Sequence, residues 1–123
     1  MSTTQTTKKE RAVDLICGSF DLNQRRKFEL KIEGKHILDL YFKPVTRSDR
    51  LRVQATANSD DALKQSTTML CQKAELEDGS KAFALADVAK LQRELPEKVL
   101  NEIELFLFEA SLEDEGLEEV KND

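Results

Sequence analysis

Few side chains in this sequence can do chemistry. There is one histidine, His36, and two cysteines, Cys17 and Cys71. A Cys–His dyad would need His36 to meet one of the thiols, and nothing in their spacing argues that it does. A single histidine also leaves no His–His pair for a metal. The four glycines never stand at a phosphate-cradling spacing, so no P-loop or dinucleotide fingerprint exists. Asp60–Asp61 and Glu113–Asp114–Glu115 could gather divalent cations weakly, but they lack EF-hand spacing and read as solvated carboxylates. Arg25, Arg26 and Lys27 beside Phe28 and Tyr41 are the one feature suggestive of nucleic acid. No Gly-aromatic ribonucleoprotein motif accompanies them, and a strand edge guarded by basic residues explains them equally well. No catalytic residue, metal ligand, cofactor or nucleic-acid site is expected.

The chemistry that remains is apolar. In "NEIELFLFEASLEDE" (101–115) a helical wheel puts Val99, Leu100, Ile103, Phe106, Leu107 and Ala110 on one broad face, the usual core stripe. Leu105, Phe108 and Leu112 fall roughly opposite at i, i+3, i+7, flanked by Glu102, Glu104 and Glu109. A helix apolar on two faces is either sandwiched inside its own domain or holds a partner. Two readings follow: the hairpin or the Val13–Ile16 helix described below covers this second stripe, or Leu105, Phe108 and Leu112, with Glu102 and Glu109 at the rim, bind another chain.

The elements that position this stripe are read from periodicity. At 123 residues the chain forms one domain able to bury about two-thirds of its unfolded surface, with no need of disulfide or metal. Residues 1–9 read as a polar, disordered lead, 10–112 as the domain, and 113–123 as an acidic flexible tail. "KKERAVDLICG" predicts a short helix with Ala12, Val13, Ile16 and Cys17 on one side and Gly18 as its stop. Phe28, Leu30 and Ile32, then Leu38, Leu40 and Phe42, alternate with polar residues around Glu33-Gly34-Lys35. That is a β-hairpin over about 26–43, with Gly34 at positive φ. Residues 46–57 are ambiguous. Leu51, Val53, Ala55 and Ala57 alternate like a strand, whereas Thr46 and Asp49 resemble a helix-opening capping box. Leu63, Thr67, Leu70, Cys71 and Ala74 mark a helix, as do Leu85, Val88, Ala89 and Leu95 from about Ala84. Pro96 reads as the first position of the last helix. The fold class is therefore α+β, mainly α: a hairpin followed by three to four helices. Both cysteines sit among apolar neighbours and are expected reduced and buried. No run of the sequence is long and apolar enough for a membrane span, and no signal peptide opens it, so cytoplasmic residence is expected.

Charge is graded along the chain. Residues 24–52 carry a net +5, residues 53–108 a net −4 and residues 109–123 a net −6, within a total of −5. An acidic end repels phosphate, whereas such polarity suits copies that associate head to tail, or solvated surfaces with no further role.

From Ala12 to Leu112 an ordered set of motifs resembles the tail assembly chaperones of long-tailed bacteriophages, the lambda-type family encoded beside the tape measure protein. It comprises Phe42, Pro44, Val45 and Thr46, then Asp49 and Arg50, then Asp78, Gly79 and Phe83, then Asp87, and finally Ser111 with Leu112. Family members usually have smaller residues at "ELFLFEA" than the phenylalanines here. The resemblance implies a helix over 46–57 and a non-catalytic protein that binds and solubilises the aggregation-prone tape measure. It further implies residence in the host cytoplasm, absence from the mature virion, and recruitment of tail tube subunits through a longer, frameshifted form. A different class, a small regulatory or adaptor protein acting as a homodimer through the same helix, is the alternative expectation.

Overall fold

The hairpin leads the folded core, and everything that covers it follows in sequence. The computed structural model describes residues 11–112, with side chains up to Glu109; the expectations for 1–9 and 113–123 lie outside the described residues. Its elements are helix α1 (Ala12–Cys17), strands β1 (Arg26–Ile32) and β2 (Lys35–Phe42), and helices α2 (Arg47–Ala57), α3 (Ala62–Lys73), α4 (Asp87–Glu94) and α5 (Glu97–Leu112). This is the α+β, mainly α arrangement expected, with four helices after the hairpin.

β1 and β2 pair antiparallel, with Phe28 opposite Leu40 and Leu30 opposite Leu38. Both turn residues have positive φ, Glu33 at 53° and Gly34 at 80°, the backbone of a primed two-residue turn that matches strand twist. A register shift follows Leu30, so that Lys31 pairs with His36 and Ile37 is the extra residue. Ile32 near the tip is exposed, not part of the core face that alternation alone suggests, and the extra residue Ile37 is exposed as well. A bulge re-aims the side chains beyond it.

Residues 47–57 are helical, against the local alternation and in line with the capping box. Thr46 Oγ1 accepts from the Asp49 N–H at 3.1 Å, and Asp49 Oδ2 accepts from the Thr46 N–H at 2.9 Å. Two otherwise orphaned backbone donors are satisfied at once, and no strand partner offers the same. Of the four alternating residues only Val53 and Ala57, one helical turn apart, are buried. Asp61 caps α3 by accepting from Leu63 N–H and Lys64 N–H. Pro96 stands just before α5, its carbonyl accepting the Leu100 N–H, one position earlier than expected.

The core joins the inner face of the hairpin (Leu30, Leu40, Phe42) to Val53 of α2, Met69 and Leu70 of α3, and Leu100, Ile103 and Leu107 of α5. Phe106 docks α5 on the sheet, its ring 5.0 Å from Phe28 and 5.9 Å from Phe42. The outer edge of β2 is partly occupied as well. Tyr41 and Glu75 exchange both backbone hydrogen bonds, and Glu75 bridges onward to Lys81.

α1 is the exception. It forms where expected, but none of its residues is buried, so Cys17 is exposed and the expectation of a buried thiol there is corrected. Six residues are too few to be held by helix propensity alone, and among the described residues none buries the apolar side of α1. Cys71 is buried as expected, and burial, with the carboxylates of Asp87 and Glu104, pushes its thiol up to about 12. At neutral pH it is a protonated apolar group.

Candidate partner-binding surface

The second apolar stripe of α5 is divided by the fold. Leu105 is 48% exposed, and Glu102 and Glu109 beside it are exposed too. Phe108 is half-buried and packs on the core cluster. It lines a hollow of about 100 Å³ with Val53, Gln65 and Met69 from α2 and α3, and the Arg50 guanidinium lies 5.8 Å from its ring centroid. The Leu112 side chain lies outside the described residues. Neither the hairpin nor α1 covers Leu105. The hairpin meets α5 through Phe106, and Val13 and Ile16 are themselves exposed.

A larger apolar exposure lies where the sequence did not draw attention. Val13, Leu15, Ile16, Phe20 and Leu22 are each exposed over about half their surface or more, Phe20 at 64%, within a span of ten residues. Burying one such side chain is worth about 1.5–3 kcal/mol. A run of them left in water is a surface awaiting cover.

Glu104, which the helical wheel places beside the second stripe with Glu102 and Glu109, is buried, 8% exposed, unlike those two. The signal was available, because Glu104 lies four residues after Leu100 and three before Leu107, both on the core face. Its Oε2 accepts from Thr67 Oγ1 at 2.6 Å. Burial raises its pKa above the usual 4.5, opposed by the Thr67 hydrogen bond and reinforced by Glu97. A carboxyl that prefers its proton in the folded state lends stability that is full below 4.5 and is lost as pH rises through the folded value. Glu104→Gln, which keeps the shape and an acceptor for Thr67, is therefore expected to melt a few degrees higher at pH 7. The advantage should vanish near pH 4, and thermal melts across pH 4–8 with no such convergence would contradict the assignment.

The basic segment is largely committed within the chain. Arg25 donates to Glu75 Oε1, Leu76 O and Glu77 O at 2.8–3.2 Å, and stacks 4.7 Å from the Tyr41 ring centroid. Its guanidinium ties the 75–77 segment to the hairpin. Lys43 approaches Glu75 Oε2 at 3.9 Å, and Lys73 meets Asp49 Oδ2 at 2.9 Å. His36 is exposed at the start of β2, with Nε2 2.8 Å from Asp39 Oδ1. Among the described residues no three His, Cys, Asp or Glu side chains converge as a metal site would require, and no helix is long and apolar enough to cross a membrane.

Several of the residues that carry the family resemblance shape the fold, while the Ser111 and Leu112 side chains lie outside the described residues. Phe42 is core, and the Pro44 carbonyl accepts from Lys73 Nζ. Thr46 and Asp49 cap α2. Asp78 Oδ1 accepts from Ser80 in the turn where Gly79 has φ 91°. Asp87 Oδ2 accepts from the Ala84 N–H ahead of α4. No protein-family model matches this chain, and no curated protein or solved structure shows significant similarity to it.

Proposed function

We propose that this protein is a non-catalytic tail assembly chaperone that binds and solubilises a phage tape measure protein in the host cytoplasm, helps recruit tail tube subunits, and leaves before the virion is complete. The observation that carries a binding role is the unburied apolar surface, Val13 to Leu22 with α1 and Leu105 on α5, on a domain whose core is otherwise closed. The tape measure as partner is supported by the ordered motifs from Phe42 to Leu112. Exposed apolar side chains beside Glu102 and Glu109 suit an amphipathic helix, which would bury its stripe while the carboxylates keep the complex soluble.

Co-expression with the neighbouring tape measure protein is expected to move the latter from the insoluble to the soluble fraction as a co-purifying complex. A tape measure equally insoluble with and without this chain would end the proposal. The adaptor reading, a homodimer through α5, draws on the exposed Leu105, which two copies could bury against each other. It requires a closed dimer by light scattering and no effect on the tape measure.

A further inference from the structure

A groove of about 410 Å³ opens where the start of α3, the end of α4 and the first two turns of α5 meet. Leu63, Leu95 and Leu100 give it apolar walls, and the buried pair Thr67 and Glu104 closes its base. The hydrogen bonding at that base is specific. The Thr67 hydroxyl has one proton to donate, and 2.6 Å to Glu104 Oε2 against 3.2 Å to Leu63 O decides its direction. Gln92 Nε2, 3.2 Å away, donates to the same hydroxyl oxygen. Oε2 of Glu104 is thereby engaged. Oε1 receives no donor among the described residues, and since no sealed side-chain oxygen is left unbonded, it keeps access to the groove.

The charge around this oxygen is unbalanced. Asp61 and Glu97 line the same groove, and among the described residues Lys64 is the one cation of the lining and forms no ion pair. A desolvated carboxylate without a counter-charge is among the most costly arrangements a protein holds. A cation would offset that cost, provided it carries an apolar stem for the walls. A guanidinium fork binds best to two free carboxylate oxygens, and here one is already taken by Thr67. A compact ammonium needs only one.

We propose that this groove binds an alkylammonium group, with its charge on Glu104 Oε1 and its stem along Leu63, Leu95 and Leu100. The inference stands independently of the chaperone reading. A lysine side chain presented by another protein and a free aliphatic amine share this chemistry.

The test is titration of n-pentylamine into the full chain, followed by NMR of the Gln92 and Asn101 side-chain amides, both in the lining. Saturable shifts at millimolar amine are expected, with none for n-pentanol. Glu104→Gln should weaken amine binding by at least about tenfold while thermal melting shows it folded. The proposal is overturned if amine and alcohol act alike, if Glu104→Gln binds the amine as the wild type does, or if no shift saturates. A helical peptide with one lysine, compared with its norleucine counterpart, separates the sources. Binding tighter than pentylamine and lost with norleucine assigns the ammonium to a protein lysine, and weaker binding assigns it to a free amine.

Discussion

Asp49→Ala is expected to destabilise the protein by about 3–5 kcal/mol, the penalty for breaking a buried ion pair from one side. The Asp49 carboxylate makes three interactions at once, two within α2 and one to α3. It closes the capping box of α2, it accepts from Lys73 Nζ of α3 at 2.9 Å, and it accepts from Arg52 at 3.2 Å. Lys73 is nearly buried, its side chain 13% exposed, and without Asp49 it would keep only the Pro44 carbonyl at 3.3 Å. Against a total stability of about 5–15 kcal/mol, that loss is large. The double variant Asp49→Ala/Lys73→Met should recover much of it, because removing both charges leaves neither stranded. Urea denaturation of the four species measures the coupling directly. Single effects that simply add would mean the pair behaves as a solvated one. The same carboxylate sets an acid limit. Burial alone would raise its pKa, but hydrogen bonds from Lys73 and Thr46 outweigh burial and hold it below 3.8. Its contribution is thus present above 3.8 and lost as pH falls through the folded value, opposite in sign to Glu104.

The second large effect separates two residues that the helical wheel treats as equals. Phe108→Ala removes a ring packed at the junction of α2, α3 and α5, and is expected to lower stability by about 2–4 kcal/mol. Alanine is the better probe than glutamate there, since Arg50 beside the ring could pair with a new carboxylate. Leu105→Glu changes an exposed site and should leave stability within about 0.5 kcal/mol of wild type. At that site the readout is the proposed function: if this chain is the chaperone proposed above, solubilisation of the tape measure should be lost. A folded Leu105→Glu protein that binds fully would remove α5 from the working surface and shift attention to the exposed run from Val13 to Leu22. Calorimetry and the co-expression assay, run on both variants, distinguish these outcomes.

The hairpin was readable because local rules agreed: alternation on both strands, and a glycine where the turn needs positive φ. Residues 47–57 were not readable from periodicity, because Leu51 and Ala55 alternate with Val53 and Ala57 by coincidence and are exposed in the helix. There the cap chemistry of Thr46 and Asp49 was the truer guide, since it reports backbone donors directly. α1 was legible as a helix but not as an unburied one; amphipathicity says which side of a helix is apolar, and only tertiary structure says whether anything meets it. Glu104 escaped for the opposite reason. Its position on the core face was calculable, but a glutamate flanked by Ile103 and Leu105 reads as rim by residue type. Of the family-like motif residues, Thr46 and Asp49 cap a helix start, Asp87 bonds the backbone just ahead of another, Asp78 and Gly79 make a turn and Phe42 ends a strand, roles that argue for a fold more directly than for a partner.

The order of the core's components along the chain sets a timetable for its assembly. Leu40 and Phe42 leave the ribosome early, whereas Ile103 and Leu107, which complete their cover, come about 60 residues later. At a synthesis rate of about 5–20 residues per second, the apolar face of the hairpin waits roughly 3–12 s for its lid. During that interval β1 offers a free strand edge, and Lys27 and Lys31 along it, alternating with Glu29, discourage pairing with a neighbouring nascent chain. On a crowded polysome those charges guard the edge before the core has closed, and among the described residues β1 gains no second strand beside it even in the finished molecule.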